Sequence, residues 1–183
     1  MFNCPVLTGG ALFKSMNIFI DIGARQGEST RAFLAKNKDY QCHLFECDNE
    51  NLKELQGGDN MIINPAAAWI IDGEIVFYYG TSHGGSINET KITGKVNPGK
   101  SYKVKAIDIA RYIKTKFKQT DHIVVKMNCE GAEYDIIPHM IKHGLNEWVN
   151  QWYVCWHYHK LKNISEQKHK EVSSMIKSVK WKR

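Results

Sequence analysis

The chain has 183 residues, 43% of them hydrophobic and 24% charged, with a net charge of +6; these values are ordinary for one globular domain with a sizeable core. No stretch approaches 18 consecutive apolar residues, which excludes a membrane-spanning helix. Residues Met1 to Asn17 lack the cationic start and long apolar run of a signal peptide. The five cysteines (Cys4, Cys42, Cys47, Cys129, Cys155) are odd in number and contain no Cys-x-x-Cys pair, so a reduced, cytoplasmic setting is the simpler expectation. Residues 160–183 hold eight Lys or Arg against two Glu, so the whole net charge lies in that tail and the rest of the chain is neutral. A basic tail on a neutral domain reads first as a solvated helix face, which makes nucleic acid an unlikely partner.

In chain order the pattern alternates strand and helix, which predicts an α/β domain with a mostly parallel sheet flanked by helices. A single domain over 1–183 is expected, with residues 1–16 as an N-terminal extension and 160–183 as a basic C-terminal helix. Asn17–Ile22 reads as a buried strand that ends in Gly23-Ala24-Arg25-Gln26-Gly27. A helix follows, with Ser29 or Thr30 placed to cap it. Cys42–Glu46 is a second strand, a helix starts near Asp48 or Asn49, and Met61–Asn64 is a third strand.

The alternation then changes. Trp69–Ile71 and Glu74–Tyr79 flank Asp72-Gly73, which predicts an inserted hairpin with a type I′ turn. Residues 80–100 read as a polar, glycine-rich loop, and its His83–Ser86 part could close over a ligand. Val104–Ile107 is a short strand, Ile109–Phe117 a helix, and His122–Met127 a buried strand before Asn128-Cys129-Glu130-Gly131. The next helix buries Ile136, Ile137, Met140 and Ile141, with Pro138 either in its first turns or kinking it. Trp152–His157 reads as the last strand. A final helix is capped by Ser165 and carries Val172, Met175, Ile176 and Val179 at helical spacing. The early end of the chain implies a trimmed sheet, or else one domain of a longer glycan-modifying protein.

Open parallel sheets bind ligands beyond the C-terminal ends of their strands. Those ends here carry Asp21 with the glycine turn, Glu46, Asn64, Asn128 with Glu130, and His157. Gly23 and Gly27 permit a sharp turn and a close approach to a ligand, and the helix that follows favours an anionic group at its N-terminus. Glu46, 19 residues past Gly27, is placed to accept hydrogen bonds from ribose hydroxyls. Together they describe a nucleoside-containing cofactor. The Gly-x-x-x-Gly spacing is not the Gly-x-Gly-x-x-Gly of a dinucleotide site and no phosphate-binding P-loop is present, so S-adenosylmethionine fits best.

Three segments, Asp21–Thr30, Leu44-Phe45-Glu46 and above all Val125-Lys126-Met127-Asn128-Cys129-Glu130-Gly131-Ala132-Glu133-Tyr134, resemble the FkbM family of S-adenosylmethionine-dependent methyltransferases over roughly residues 17–159. The resemblance implies a Rossmann-like fold and O-methylation, often of sugars or natural-product hydroxyls. The cofactor residues it implies, with their neighbours at the strand ends, are Asp21, Gly23, Ala24, Arg25, Gly27, Thr30, Glu46, Asn64, Ala66, Ser86 and Asn128. The family usually has Asp where this chain has Asn128, and often an acid where it has Cys155. Glu130 and His157 are the candidates to take the proton of an acceptor hydroxyl.

A divalent metal is a weaker expectation, built from Cys155, His157 and His159 or from Asn128, Glu130 and His157. Trp148, Trp152, Trp156 and Tyr158 offer faces for a sugar ring. The expected partner is therefore a small-molecule or glycan acceptor. The competing readings are a nucleic-acid or protein methyltransferase that uses the basic tail, and an inactive Rossmann-like interaction module.

Overall fold

A computed structural model describes residues 14–81, 84–97 and 99–181. Ser82 and His83 of the loop, Cys4, most of the N-terminal extension, and Lys182 and Arg183 of the tail lie outside the described residues. Six parallel strands form the main sheet: β1 (Asn17–Ile22), β2 (Tyr40–Glu46), β3 (Met61–Pro65), β7 (His122–Met127), β8 (Val149–Val154) and β9 (Ser178–Val179), in the order β3-β2-β1-β7-β8-β9. The order reverses between β1 and β7, the place where an open parallel sheet forms its ligand crevice.

The period of two in β1 explains how the sheet is covered. Ile18, Ile20 and Ile22 enter one core with Ile123, Val125 and Met127 of β7, under helices α3 (Ile109–Lys116), α4 (Glu133–Lys142) and α5 (Glu166–Ser174). Phe19 points the other way, into a second core with Leu44, Val124 and Phe33 of α1 (Glu28–Leu34). Both faces of β1 are sealed, and Ile18, Phe19 and Ile20 are fully buried. This is why the strand reads as a continuous apolar run.

Several expected elements are corrected. Gly27, at φ 82°, is the N-cap of α1 and makes no side-chain cap bond; Thr30 is buried and donates to Asp21 Oδ2 at 2.8 Å instead of capping. Asp48 does cap α2 (Asn49–Glu54), accepting from the Glu50 amide.

The hairpin at Asp72-Gly73 does not form. Strands β4 (Ala67–Trp69) and β5 (Gly73–Tyr78) flank β6 (Ser101–Asp108), which pairs parallel with β4 and antiparallel with β5. Asp72 is drawn away from a two-residue turn because its carboxylate accepts from the Asp108 amide and from the Arg111 guanidinium at the start of α3. The inserted unit is therefore a separate three-stranded sheet.

Two further corrections lie near the C-terminus. Strand β8 spans Val149–Val154, three residues earlier than expected, with a register shift between Ile123 and Val124 in its pairing with β7, so His157 lies beyond the strand at the start of a 3-10 turn, Tyr158–Lys160. The basic helix ends at Ser174, and Ser178–Val179 leaves the helical pattern to pair with β8, leaving Val179 exposed. Pro138 sits in the second turn of α4, which continues to Lys142. Among the described residues no helix is long and apolar enough to cross a membrane.

Candidate active site

The turn after β1 is held by its neighbours rather than by a ligand. The amides of Gly23 and Ala24 both donate to the Phe45 carbonyl at 3.0 Å, and the Gly27 amide donates to the Ala24 carbonyl. Gly23 adopts φ 75°, and a Cβ there would overlap the carbonyl oxygen of Asn128. The loops after β1 and β7 thus touch through a position only glycine can fill. Asp21 lies beneath the turn, fully buried, with Oδ1 2.7 Å from Lys126 Nζ and Oδ2 bonded to Thr30. Lys126 Nζ also donates to the Gly23 carbonyl at 3.1 Å. Asp21 and Thr30 brace the turn from beneath.

Glu46 is the hinge of the crevice. Its Oε2 accepts from the Arg25 amide at 2.7 Å, and its Oε1 from the Cys47 and Asp48 amides at 2.9 and 2.8 Å. Burial raises the pKa of this carboxyl, while the bonds from Asp48, Arg25 and Cys47 oppose the rise. A carboxylate has about four acceptor sites, and here three serve the backbone and one the Asn51 side chain. Arg25 adopts φ 54° to deliver its amide, a left-handed conformation that costs on the order of 1–2 kcal/mol outside glycine. Its Nε is buried without a hydrogen-bond partner among the described residues.

After β7, Glu130 is likewise left-handed at φ 54°, followed by Gly131 at φ 115°. The Glu130 Oε2 lies 2.8 Å from Lys91 Nζ and 3.4 Å from Lys160 Nζ, and its Oε1 lies 3.5 Å from His157 Nε2. Burial would raise the Glu130 pKa, but the charges of His157, Lys91 and Lys160 outweigh it and hold the carboxyl below its ordinary value. Glu133, at the first turn of α4, is fully buried; it accepts from the Gly131 amide at 2.9 Å, the His157 amide at 2.8 Å and His157 Nδ1 at 3.1 Å. Burial alone would lower the His157 pKa. Hydrogen bonds with Cys155 and Glu133, and the negative charge of Glu133 and Glu130, raise it to about 9. These contacts favour the protonated form of His157.

One cavity of ≈ 100 Å³ brings together seven of the expected residues: Gly23, Arg25, Glu46, Ala66, Ser86, Asn128 and Glu130. Its remaining wall includes Ile22, Phe45, Phe77 and Ile87, with Asp48 and Asn51 at the polar end. Ser86 closes the side, accepting from the Asn88 amide and donating to the Glu130 carbonyl, both at 2.9 Å. Other expected residues stand apart. Ala24 lines a neighbouring cavity, Gly27 caps its helix, and Asn64 is bonded to the Leu44 carbonyl and the Tyr112 hydroxyl. His157 lies behind Glu130.

Sequence reasoning did not assign roles to Glu133, Lys91 or Lys160. Glu133 was visible as the last acid of Glu-Gly-Ala-Glu; Lys91, in a polar loop, gave no signal. Among the described residues no group of three His, Cys, Asp or Glu is arranged to hold a metal ion. Lys160, Lys168 and Lys170 of the basic tail pair with Glu130, Glu171 and Glu166.

A parallel sheet with a cavity at its point of reversal, framed by a glycine turn and an acid after the second strand, defines the class as a Rossmann-like α/β methyltransferase domain. A family model described as the methyltransferase FkbM domain matches residues 21–178, and the chain belongs to that family. No curated protein and no solved structure matches it.

Proposed function

We propose that the protein transfers the methyl group of S-adenosylmethionine to a hydroxyl group of a sugar or glycan. The observation that carries the reading is the buried, unpartnered Nε of Arg25 on a cavity that Glu46 also lines. A buried donor without an acceptor costs about 1–3 kcal/mol, and an amino-acid carboxylate would satisfy it. A ribose hydroxyl would take the place of the Asn51 side-chain bond at the Glu46 carboxylate, and Phe45, Phe77 and Ile87 offer apolar surface for a purine. The residues present fit the group: Arg25 would hold its carboxylate, Glu46 its ribose and the aromatic wall its base. When bound, it supplies a methyl group activated by a sulfonium.

The chain's own residues then have limited work, because an in-line displacement gains most from positioning. Asn128 borders both this cavity and the next one, so its amide can orient an acceptor hydroxyl between them. Glu130, ionised and fixed by Lys91, Lys160 and His157, accepts the hydrogen bond of that hydroxyl. A low pKa makes it a poor base toward an alcohol. An oxygen that is gaining a methyl group becomes far more acidic, so Glu130 can take the proton late in the step. His157 acts as a positioning residue that sets Glu130 through its Nε2.

Calorimetric titration with S-adenosylmethionine tests the cofactor, and mass spectrometry of sugars and glycans incubated with both tests the transfer. One-site binding and a methyl gain on a sugar support the reading; absence of either refutes the corresponding half.

A further inference from the structure

A second cavity, of ≈ 480 Å³, opens at the ends of β7 and β8. It shares Asn128 with the cavity of Glu46, so the two meet at the residue placed to orient the acceptor. Its chemistry differs from that of the first. The indole of Trp156, fixed by an Nε1–H bond to Ser178 Oγ at 3.4 Å, and that of Trp181 supply aromatic walls. Lys126, His159 and Lys180 also line it, and no Asp or Glu does.

Two of these cations have capacity to spare. Lys126, 3% exposed at its side chain, gives two N–H bonds to Asp21 Oδ1 and the Gly23 carbonyl. An ammonium has three, and the third has no protein acceptor among the described residues. Lys180 is exposed and forms no ion pair among the described residues. Asp21, 2.7 Å from Lys126 Nζ, lies beneath the cavity without lining it, and Glu28 lines a smaller adjoining cavity and faces Arg25 at 3.7 Å.

Resting on the methyl-transfer reading above, we propose that this second cavity is the acceptor pocket and that it selects a sugar carrying an anionic group, a carboxylate or a phosphate. Lys180 and the spare N–H of Lys126 hold the anion, with His159 at the rim, and the ring lies against Trp156. Aromatic faces with cations and no competing carboxylate suit such a ligand, since charge-assisted bonds are stronger than neutral ones. A neutral sugar would answer the Lys126 donor only with a hydroxyl oxygen, a weaker acceptor than a carboxylate or phosphate.

The test measures binding in the absence of S-adenosylmethionine, by tryptophan fluorescence or calorimetry, with glucose, glucuronate, glucose 6-phosphate and inorganic phosphate as probes. Glucuronate, glucose 6-phosphate or both should bind more tightly than glucose by about tenfold, or ~1.4 kcal/mol; which of the two does so identifies the anion. Lys180→Gln, at an exposed site, should bring that preference to within about twofold, since it removes one charge-assisted bond. Trp156→Ala should weaken sugar and sugar acid alike. Equal binding of glucose, no binding of any sugar, an unchanged preference in Lys180→Gln, or inorganic phosphate binding as tightly as the sugar phosphate would overturn the proposal. A parallel titration with S-adenosylmethionine separates the two claims: cofactor heat without an anionic preference sinks this inference alone, and anionic-sugar binding without cofactor heat sinks the function.

Discussion

The Nδ1 atom of His157 lies 3.1 Å from Oε1 of Glu133, and both side chains are almost wholly excluded from solvent. With the Cys155 hydrogen bond, the contact raises the pKa of the histidine, whose Nε2 lies 3.5 Å from Oε1 of Glu130 on its other edge.

A pH dependence of stability follows. The folded protein binds the His157 proton more tightly than the unfolded chain, with a pKa of about 9 against 6.5. The stabilisation is complete below about pH 6.5, shrinks as pH rises from there toward 9, and is gone above; its full size is on the order of 3 kcal/mol. Thermal unfolding should show the melting temperature falling across that window. In His157→Gln the fall should vanish. Glu130, whose folded pKa is lowered, acts in a different window, since its contribution is lost only as pH drops through the acid range.

Lys126 and Asp21 form a buried ion pair that joins β7 to β1. Lys126→Met leaves the Asp21 charge buried and answered only by Thr30, and should cost about 3–5 kcal/mol. Denaturant unfolding of Lys126→Met with Asp21→Asn should recover part of that loss. An additive double variant would contradict the pairing.

Glu46→Gln tests the crevice. It replaces one acceptor oxygen by an amide that cannot accept, so at least one of the Arg25, Cys47 and Asp48 amides loses its bond, at about 1–3 kcal/mol. Affinity for S-adenosylmethionine should fall in the same variant. Intact stability would show that the three amides do not depend on the carboxylate.

Glu130→Gln should leave cofactor binding near the wild type and reduce turnover by about 10²–10⁴-fold, the usual range for a proton-transfer group. His157→Gln should reduce turnover less and shift its pH profile, because it acts through Glu130. Equal losses at constant pH profile would place both residues in a purely structural role.

The sheet was legible because its strands are buried on both sides and therefore read as apolar runs, β1 and β7 most clearly. The polar residues at the strand ends were also legible, and Gly23, Arg25, Glu46, Asn128 and Glu130 do line one cavity. Long-range pairing was not. Nothing local in Asp72-Gly73 reveals that Arg111 and the Asp108 amide will claim the aspartate, or that β6 will slip between β4 and β5. Val179 kept a helical spacing but pairs as a strand, since a period of a few residues cannot distinguish the two at a chain's edge. The surroundings of His157 depended on Glu133, whose carboxylate reaches both its backbone amide and its Nδ1 from another element.

The most direct test of the account is a transfer assay with S-adenosylmethionine carrying an isotopically labelled methyl group and a panel of neutral and anionic sugars, read by mass spectrometry and NMR. The account predicts label on a sugar hydroxyl oxygen, lost in Glu46→Gln through weakened cofactor binding and in Glu130→Gln through slowed turnover. Label on nitrogen or carbon, or no transfer to any sugar by a protein that binds the cofactor, would contradict it.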